Sequence, residues 1–177
     1  QTITSTVAIP MYARSASNIR DHRHVTSLLH RTFTVKNGIM IYPTLTFDER
    51  GHNKNKIFYG ALAKEEVNGE MVSPVSFCPV TEEFIGRGGN FENPYYVVKN
   101  QPLPYKAGEE VDGYETVAAI RFADCTLEPG ETRTYIVALG YGESEAEITE
   151  LSKKYLIKKH FDKYLEETKE FWQEKIN

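Results

Sequence analysis

Apolar and polar residues alternate through much of the first 140 positions, and after that the period lengthens to about 3.6. Thr2 to Ile9 alternate as a strand that Pro10 is expected to end. Between residues 25 and 35, Val25, Ser27, Leu29, Arg31, Phe33 and Val35 fall on one mostly apolar face. Asn37-Gly38 follows, and Ile39, Ile41, Leu45 and Phe47 then share a face again. An Asn-Gly pair between two alternating runs predicts a hairpin with a type I′ turn, which needs positive φ at both central residues. A further strand is expected from Lys56 to Lys64, with a turn at Asn68-Gly69. Glu115–Cys125 and Thr132–Tyr141 carry apolar residues on both faces, the pattern of central strands covered on both sides. Between these regions, residues 73–112 hold no sustained period and carry Pro74, Pro79, Pro94, Pro102 and Pro104. Such a stretch reads as a long loop, functional or wrapped over the surface.

The last quarter is helical in pattern. Ser144 followed by Glu147 forms a capping box, in which hydroxyl and carboxylate satisfy orphan helix N–H groups reciprocally. A helix from there carries Ile148, Leu151 and Tyr155, and a second carries Phe161, Tyr164, Leu165, Thr168, Phe171, Trp172 and Ile176 as one stripe. That stripe most simply packs on the strands; its other reading is a docking face for a missing domain. The fold class expected is mainly β: an antiparallel β-sandwich over residues 1–142, then helices over 143–177.

Composition narrows the function. The chain has 177 residues, 40 % of them apolar, which suits one domain with an ample core. A net charge of −4 argues against nucleic acid as a general partner, because phosphate binding needs a basic face. Cys78 and Cys125 are too few and too far apart for a disulfide framework or a zinc site, and read as reduced thiols of a cytoplasmic protein. No run of eighteen apolar residues and no basic-then-apolar leader is present, so neither a membrane nor secretion is expected. A strand that starts at once and a helix that stops at Asn177 lead us to expect a piece of a longer protein.

Candidate chemistry is sparse. Ser17–Arg31 holds His22, His24 and His30 with Arg20, Arg23 and Arg31 around one acid, Asp21. Such a cluster lines a wet polar surface or is neutralised by partners, since unpaired buried charges are costly. A bare His-x-His without a third ligand is weak support for metal, and none is expected. Asp48 and Glu49 are adjacent on a strand end and point to opposite faces, so they read as turn ion pairs rather than a catalytic pair. Phe84–Phe91 places Gly86, Gly88 and Gly89 around Arg87, which fits either a loop tip reaching a ligand or a tight turn with a solvated arginine. Tyr95, Tyr96 and Tyr105 are the candidates for a sugar-stacking platform. His24 and His30 are the nearest candidates for mutarotase-like acid–base chemistry, without a pinned carboxylate.

The blocks Ser17–Arg31, Pro43–His52, Phe84–Pro94, Gly113-Tyr114-Glu115 and Leu127–Glu131, in that order, resemble the β-sandwich domain of inverting glycoside phosphorylases of the cellobiose phosphorylase group. Within that group the Asn18–His24 run is most similar to the 1,2-β-oligoglucan phosphorylases. The resemblance implies a galactose-mutarotase-like sandwich followed by linker helices and then an (α/α)6 barrel, absent here, that holds the catalytic aspartate. It implies a parent enzyme that cleaves β-linked glucans with inorganic phosphate, bound outside this chain, to give α-glucose 1-phosphate. No other cofactor is implied, and this chain alone is expected to be inactive, with no catalytic residue of its own. His22, Arg23 and Arg87 are the candidate substrate-binding residues. The expected partners are the chain's own barrel, a β-glucan oligosaccharide and a second copy in a homodimer. A stand-alone carbohydrate-binding module is the alternative.

Overall fold

The computed structural model describes residues 1–13, 29–43, 45–48, 51–54 and 57–176, with 45–48 and 51–54 described by backbone alone. Along the chain run β1 (Thr2–Ile3), β2 (Thr6–Met11), β3 (His30–Val35), β4 (Gly38–Pro43), β5 (Leu45–Asp48), β6 (Gly51–Lys54), β7 (Phe58–Val67), β8 (Glu70–Val72) and β9 (Ser76–Val80). Then come α1 (Thr81–Ile85), α2 (Tyr95–Val98), β10 (Glu110–Asp112), β11 (Thr116–Arg121), β12 (Cys125–Thr126), β13 (Thr134–Gly142), α3 (Glu145–Tyr155) and α4 (Lys158–Ile176). A large sheet has the order β10-β3-β4-β7-β13, with β8 also on β7; a smaller one has the order β2-β11-β9. β1 pairs β12 and β5 pairs β6 as two short ribbons, and all pairings are antiparallel. The chain is therefore a mainly β fold with carboxy-terminal helices.

The period of two sorts the core into layers. Ile39, Ile41, Ala61 and Ala63 of the large sheet pack against Phe77, Ala118 and Ile120 of the small one, with Met11 and Phe122 beside them. One residue out of step, Met40, Leu62 and Ile136 point to the other face of the large sheet, where Ile148 of α3 and Leu156 cover them. The outer face of the small sheet, Cys78, Val117 and Ala119, lies under Phe84 of α1 and Leu103. Ser144 caps α3 by accepting from the Glu147 amide at 3.2 Å, and Glu147 Oε2 accepts from the Glu143 amide at 2.7 Å, one residue earlier than a strict capping box.

Several elements depart from the sequence pattern for physical reasons. On β3 the polar-looking set His30, Thr32 and Thr34 is buried between the sheets, and Phe33 and Val35 face the α3 side half-buried. Hydrogen bonds make that possible. Thr32 Oγ1 meets Thr116 Oγ1 at 3.0 Å, and Thr34 Oγ1 donates to the Lys106 carbonyl and accepts from the Glu109 amide at 2.9 Å. Residues 76–80, expected as loop, are a fully buried strand. Pro79 hid it; β9 tolerates the proline because it is an edge strand with a register irregularity between Thr116 and Ala119 opposite it. Pro10 likewise does not end β2, another edge strand, which continues to Met11. β13 is at the sheet edge rather than central, and Leu139 and Tyr141 are 65 % and 71 % exposed. α4 buries no residue, so its apolar stripe does not pack on the strands.

The β3–β4 hairpin forms as expected, but its loop is Lys36-Asn37, and neither residue nor Gly38 takes positive φ. The type I′ signature is instead at Asn68-Gly69, where φ is 52° and 86°, between β7 and β8. Gly38 answers a packing constraint: a Cβ there would lie 2.1 Å from the Ala61 carbonyl oxygen. Near the far end of β7, Glu65 is almost fully buried, with Arg133 Nε 3.2 Å from its Oε1. Burial outweighs that cation and pushes the Glu65 carboxyl above its ordinary range.

Gly38→Ala should cost at least about 2 kcal/mol in urea unfolding, because backbone cannot yield as a side chain can. Gly60→Ala, which would meet only the Ile148 methyl at 2.9 Å, should cost less. Equal stability of Gly38→Ala and the parent chain would contradict this packing.

Candidate functional site

The widest cavity among those described, about 750 Å³, opens where β9 hands over to α1. β9 is pinned by β11 and by a reciprocal bridge in which Phe77 and Tyr105 exchange amide–carbonyl hydrogen bonds at 2.9 and 3.0 Å. The Thr81 amide donates to the Glu115 carbonyl at 2.9 Å, and Phe84 fills the small sheet's outer core. That anchoring sets Glu82 and Glu83 outward on the one exposed side of a short helix.

The glycine-rich turn then does what its composition foretold. Gly86 and Gly88 take φ of 83° and 71°, and the Gly89 amide closes the turn on the Gly86 carbonyl at 2.9 Å. A Cβ at Gly86 would lie 2.8 Å from Tyr95 Cβ, so the missing side chain is what seats Tyr95. Arg87 sits exposed at the tip. Asn90 Oδ1 accepts from the Glu92 and Asn93 amides at 2.9 and 3.1 Å, turning the chain into α2. The segment after α2 is clamped by buried Arg121, which donates to the Gln101 carbonyl at 2.6 Å and Asn100 Oδ1 at 2.9 Å.

Together these elements bring Arg87, Tyr95, Tyr96 and Tyr105 to one cleft, joined by Glu82, Glu83 and Tyr114. Tyr95 and Tyr96 meet edge to face, ring centroids 5.5 Å apart. Burial first and the neighbouring Glu83 carboxylate second push the Tyr105 hydroxyl well above the ordinary phenol pKa. Burial also raises Tyr96, with Cys78 and Glu83 adding to it. Chemically the cleft offers flat aromatic faces for apolar sugar faces, carboxylates that accept from hydroxyls, and a guanidinium that donates. Glu82 and Glu83 are neighbours on one helix, about 100° apart around it, and do not form a converging acid–base pair.

Of the residues singled out in the sequence, Arg87 and the three tyrosines converge. Glu82, Glu83 and Tyr114 were missed as site residues: nothing periodic links positions thirty apart, although Gly113 at φ 83° marks the turn that presents Tyr114. His22, Arg23 and His24 lie outside the described residues, as does Glu49; Asp48 is on β5, described by backbone alone. His30 is buried between the sheets rather than on an open face, and Arg31 pairs Asp112 at 3.3 Å. Among the described residues no group of three or more His, Cys, Asp or Glu comes together to hold a metal ion, and no helix is long and apolar enough to cross a membrane.

Set against known families, residues 2–157 match the model of the glycosyl hydrolase 94 supersandwich domain. The chain belongs to that family. Comparison with curated proteins gives no match. The supersandwich match takes in β1 through α3 and so includes the whole cleft.

Cys78 lies at the floor of this region, fully buried, its thiol donating to the Val80 carbonyl at 3.5 Å and pushed up to about 12 by burial. Unfolded thiols ionise at lower pH than Cys78 does, so the stability this thiol contributes is present below the ordinary thiol pKa and lost as pH rises toward about 12. Cys78 and Cys125, both buried and free, should react with a thiol reagent in the native chain only as fast as it opens. Prompt labelling of either at neutral pH would contradict the packing.

Proposed function

We propose that this supersandwich chain is the auxiliary domain of a glycoside phosphorylase acting on β-linked glucans, with 1,2-β-oligoglucans as its substrate. The observation that carries the reading is the family match across residues 2–157. In the parent reaction a phosphate oxygen attacks the anomeric carbon, the bond to the leaving sugar breaks, and an acid protonates the leaving oxygen, giving α-glucose 1-phosphate. The catalytic acid and the phosphate site belong to the barrel that follows this domain, and phosphate is the only co-substrate. This chain's role is to support that barrel and to lend the Arg87 turn to the rim of the substrate site. The position of Arg87 supports this role, at the tip of a turn rigidly seated on Tyr95. His22 and Arg23 are proposed as neighbouring contacts. A second reading, a carbohydrate-binding module, is favoured by the convergence of Tyr95, Tyr96, Tyr105 and Tyr114 on one cleft.

The parent enzyme should release glucose 1-phosphate from β-1,2-linked glucose oligomers in phosphate, and this chain alone should release none. Release by the isolated chain would overturn the auxiliary role; no release by the parent from any β-1,2, β-1,3 or β-1,4 series would overturn the phosphorylase. Arg87→Ala in the parent should raise KM or lower kcat by about tenfold, the cost of one lost charged hydrogen bond, with folding intact. Unchanged kinetics would leave Arg87 a solvated turn residue.

A further inference from the structure

Gly86, Arg87 and Tyr95 also line a second groove, of about 430 Å³, together with Ile85, Asn93, Val98 and Lys99. Its charge is opposite to that of the cleft. Glu82 and Glu83 border the cleft, whereas no acid lines the groove and two cations do. Arg31, Arg121 and Arg133 stand 3.3, 3.5 and 3.2 Å from carboxylates. The side chains of Arg87 and Lys99, among the described residues, have neither an ion pair nor a hydrogen bond. The floor between them is apolar: α2 buries none of its four residues, and Tyr95 and Val98 lie exposed. Both cations hang from fixed turns. A Cβ at Gly89 would lie 2.1 Å from the Ile85 carbonyl oxygen, so glycine there lets the Arg87 turn fold down on Ile85. The Lys99 amide donates to the Tyr95 carbonyl at 2.9 Å. Asn100, next in the chain, takes a left-handed φ of 48°, and its Oδ1 accepts from buried Arg121 at 2.9 Å. Unpaired donors on a restrained backbone lose little freedom when a ligand arrives.

We propose that this groove binds a hexose phosphate, with the phosphate between Arg87 and Lys99 and the sugar ring over Tyr95 and Val98. Charge selects the anion. A phosphomonoester carries about −1.5 to −2 at neutral pH, which matches two cations, whereas a carboxylate brings a single charge. The planar Arg87 guanidinium can take two phosphate oxygens while the Lys99 ammonium meets a third as a point charge. The Asn93 side-chain amide offers a donor and an acceptor to sugar hydroxyls. The apolar floor selects the sugar: the C–H face of a pyranose covers Tyr95 and Val98, which bare phosphate would leave in water. No bond is made or broken in the groove. The inference does not rest on the phosphorylase reading, because it needs neither a barrel nor a glucan.

The probe is glucose 6-phosphate, which is neither reactant nor product of the reaction proposed above. Titrated into the isotope-labelled 177-residue chain at low ionic strength, it should give saturable amide shifts at residues 86–89 and 93–100. It should bind at least about tenfold more tightly than inorganic phosphate or glucose, each of which fills only half of the groove. Arg87→Ala and Lys99→Ala, each at an exposed position and with an unchanged circular dichroism spectrum, should weaken binding at least about tenfold. Lys36→Ala, which removes an exposed cation from the β3–β4 turn, should leave binding unchanged. Lowering the pH from about 7.5 to about 5 should weaken it as the phosphate loses its second charge. No saturation up to about 20 mM would overturn the proposal, as would equal losses in Lys36→Ala and Lys99→Ala. Glucose binding as tightly would overturn the anion site, and inorganic phosphate binding as tightly would overturn the hexose.

Discussion

The close approach of the two sheets is the constraint on which the rest depends. Ala61 and Ala63 on one side and Ala118 on the other leave room between the sheets, and Ile39, Ile41, Ile120, Phe77 and Phe122 fill it. Small residues facing large ones give the interdigitation that native packing density requires. The same closeness explains Gly38, whose backbone meets the Ala61 carbonyl, and the buried threonines of β3, which reach across to Thr116 and out to Lys106 and Glu109. Those hydroxyls tie the segment ahead of β10 back onto the sandwich. A polar face is thereby buried at little cost, because each hydroxyl is hydrogen-bonded.

From that core the cleft follows by attachment. β9 is the last strand of the small sheet, and its end delivers Thr81 and Phe84 inward, so Glu82 and Glu83 must face out. Three further restraints then converge: the Phe77–Tyr105 bridge, the Arg121 clamp on Asn100 and Gln101, and the seating of Tyr95 against Gly86. Three separate contacts thus restrain a segment with little regular structure. Such a scaffold is consistent with the rim role proposed for it.

Much of the fold was legible in the sequence. Period two marked β2, β7, β11 and β13, the hairpin at Asn37-Gly38 lies where the pattern put it, and Ser144 caps its helix. What was not legible depends on neighbours. Whether β13 is central or at an edge is decided by pairing rather than composition, and Asn-Gly forms a type I′ turn at Asn68-Gly69 but not at position 37. β9 is short and contains Pro79, so no local pattern distinguishes it from loop. For the cleft, Arg87 and the tyrosines stood out one by one. Their union, with Glu82, Glu83 and Tyr114, depends on contacts between distant positions that periodicity cannot express.

The central proposal is that the sugar meets this chain at the cleft around Arg87. The direct test is a titration of the isotope-labelled chain with β-1,2-linked glucose oligomers, followed residue by residue in amide and tyrosine ring resonances. The account predicts saturable shifts at Gly86–Gly89, Tyr95, Tyr96, Tyr105 and Tyr114, with β13 and α4 unmoved. Shifts confined to other elements, or none at concentrations where the parent enzyme turns over, would contradict it.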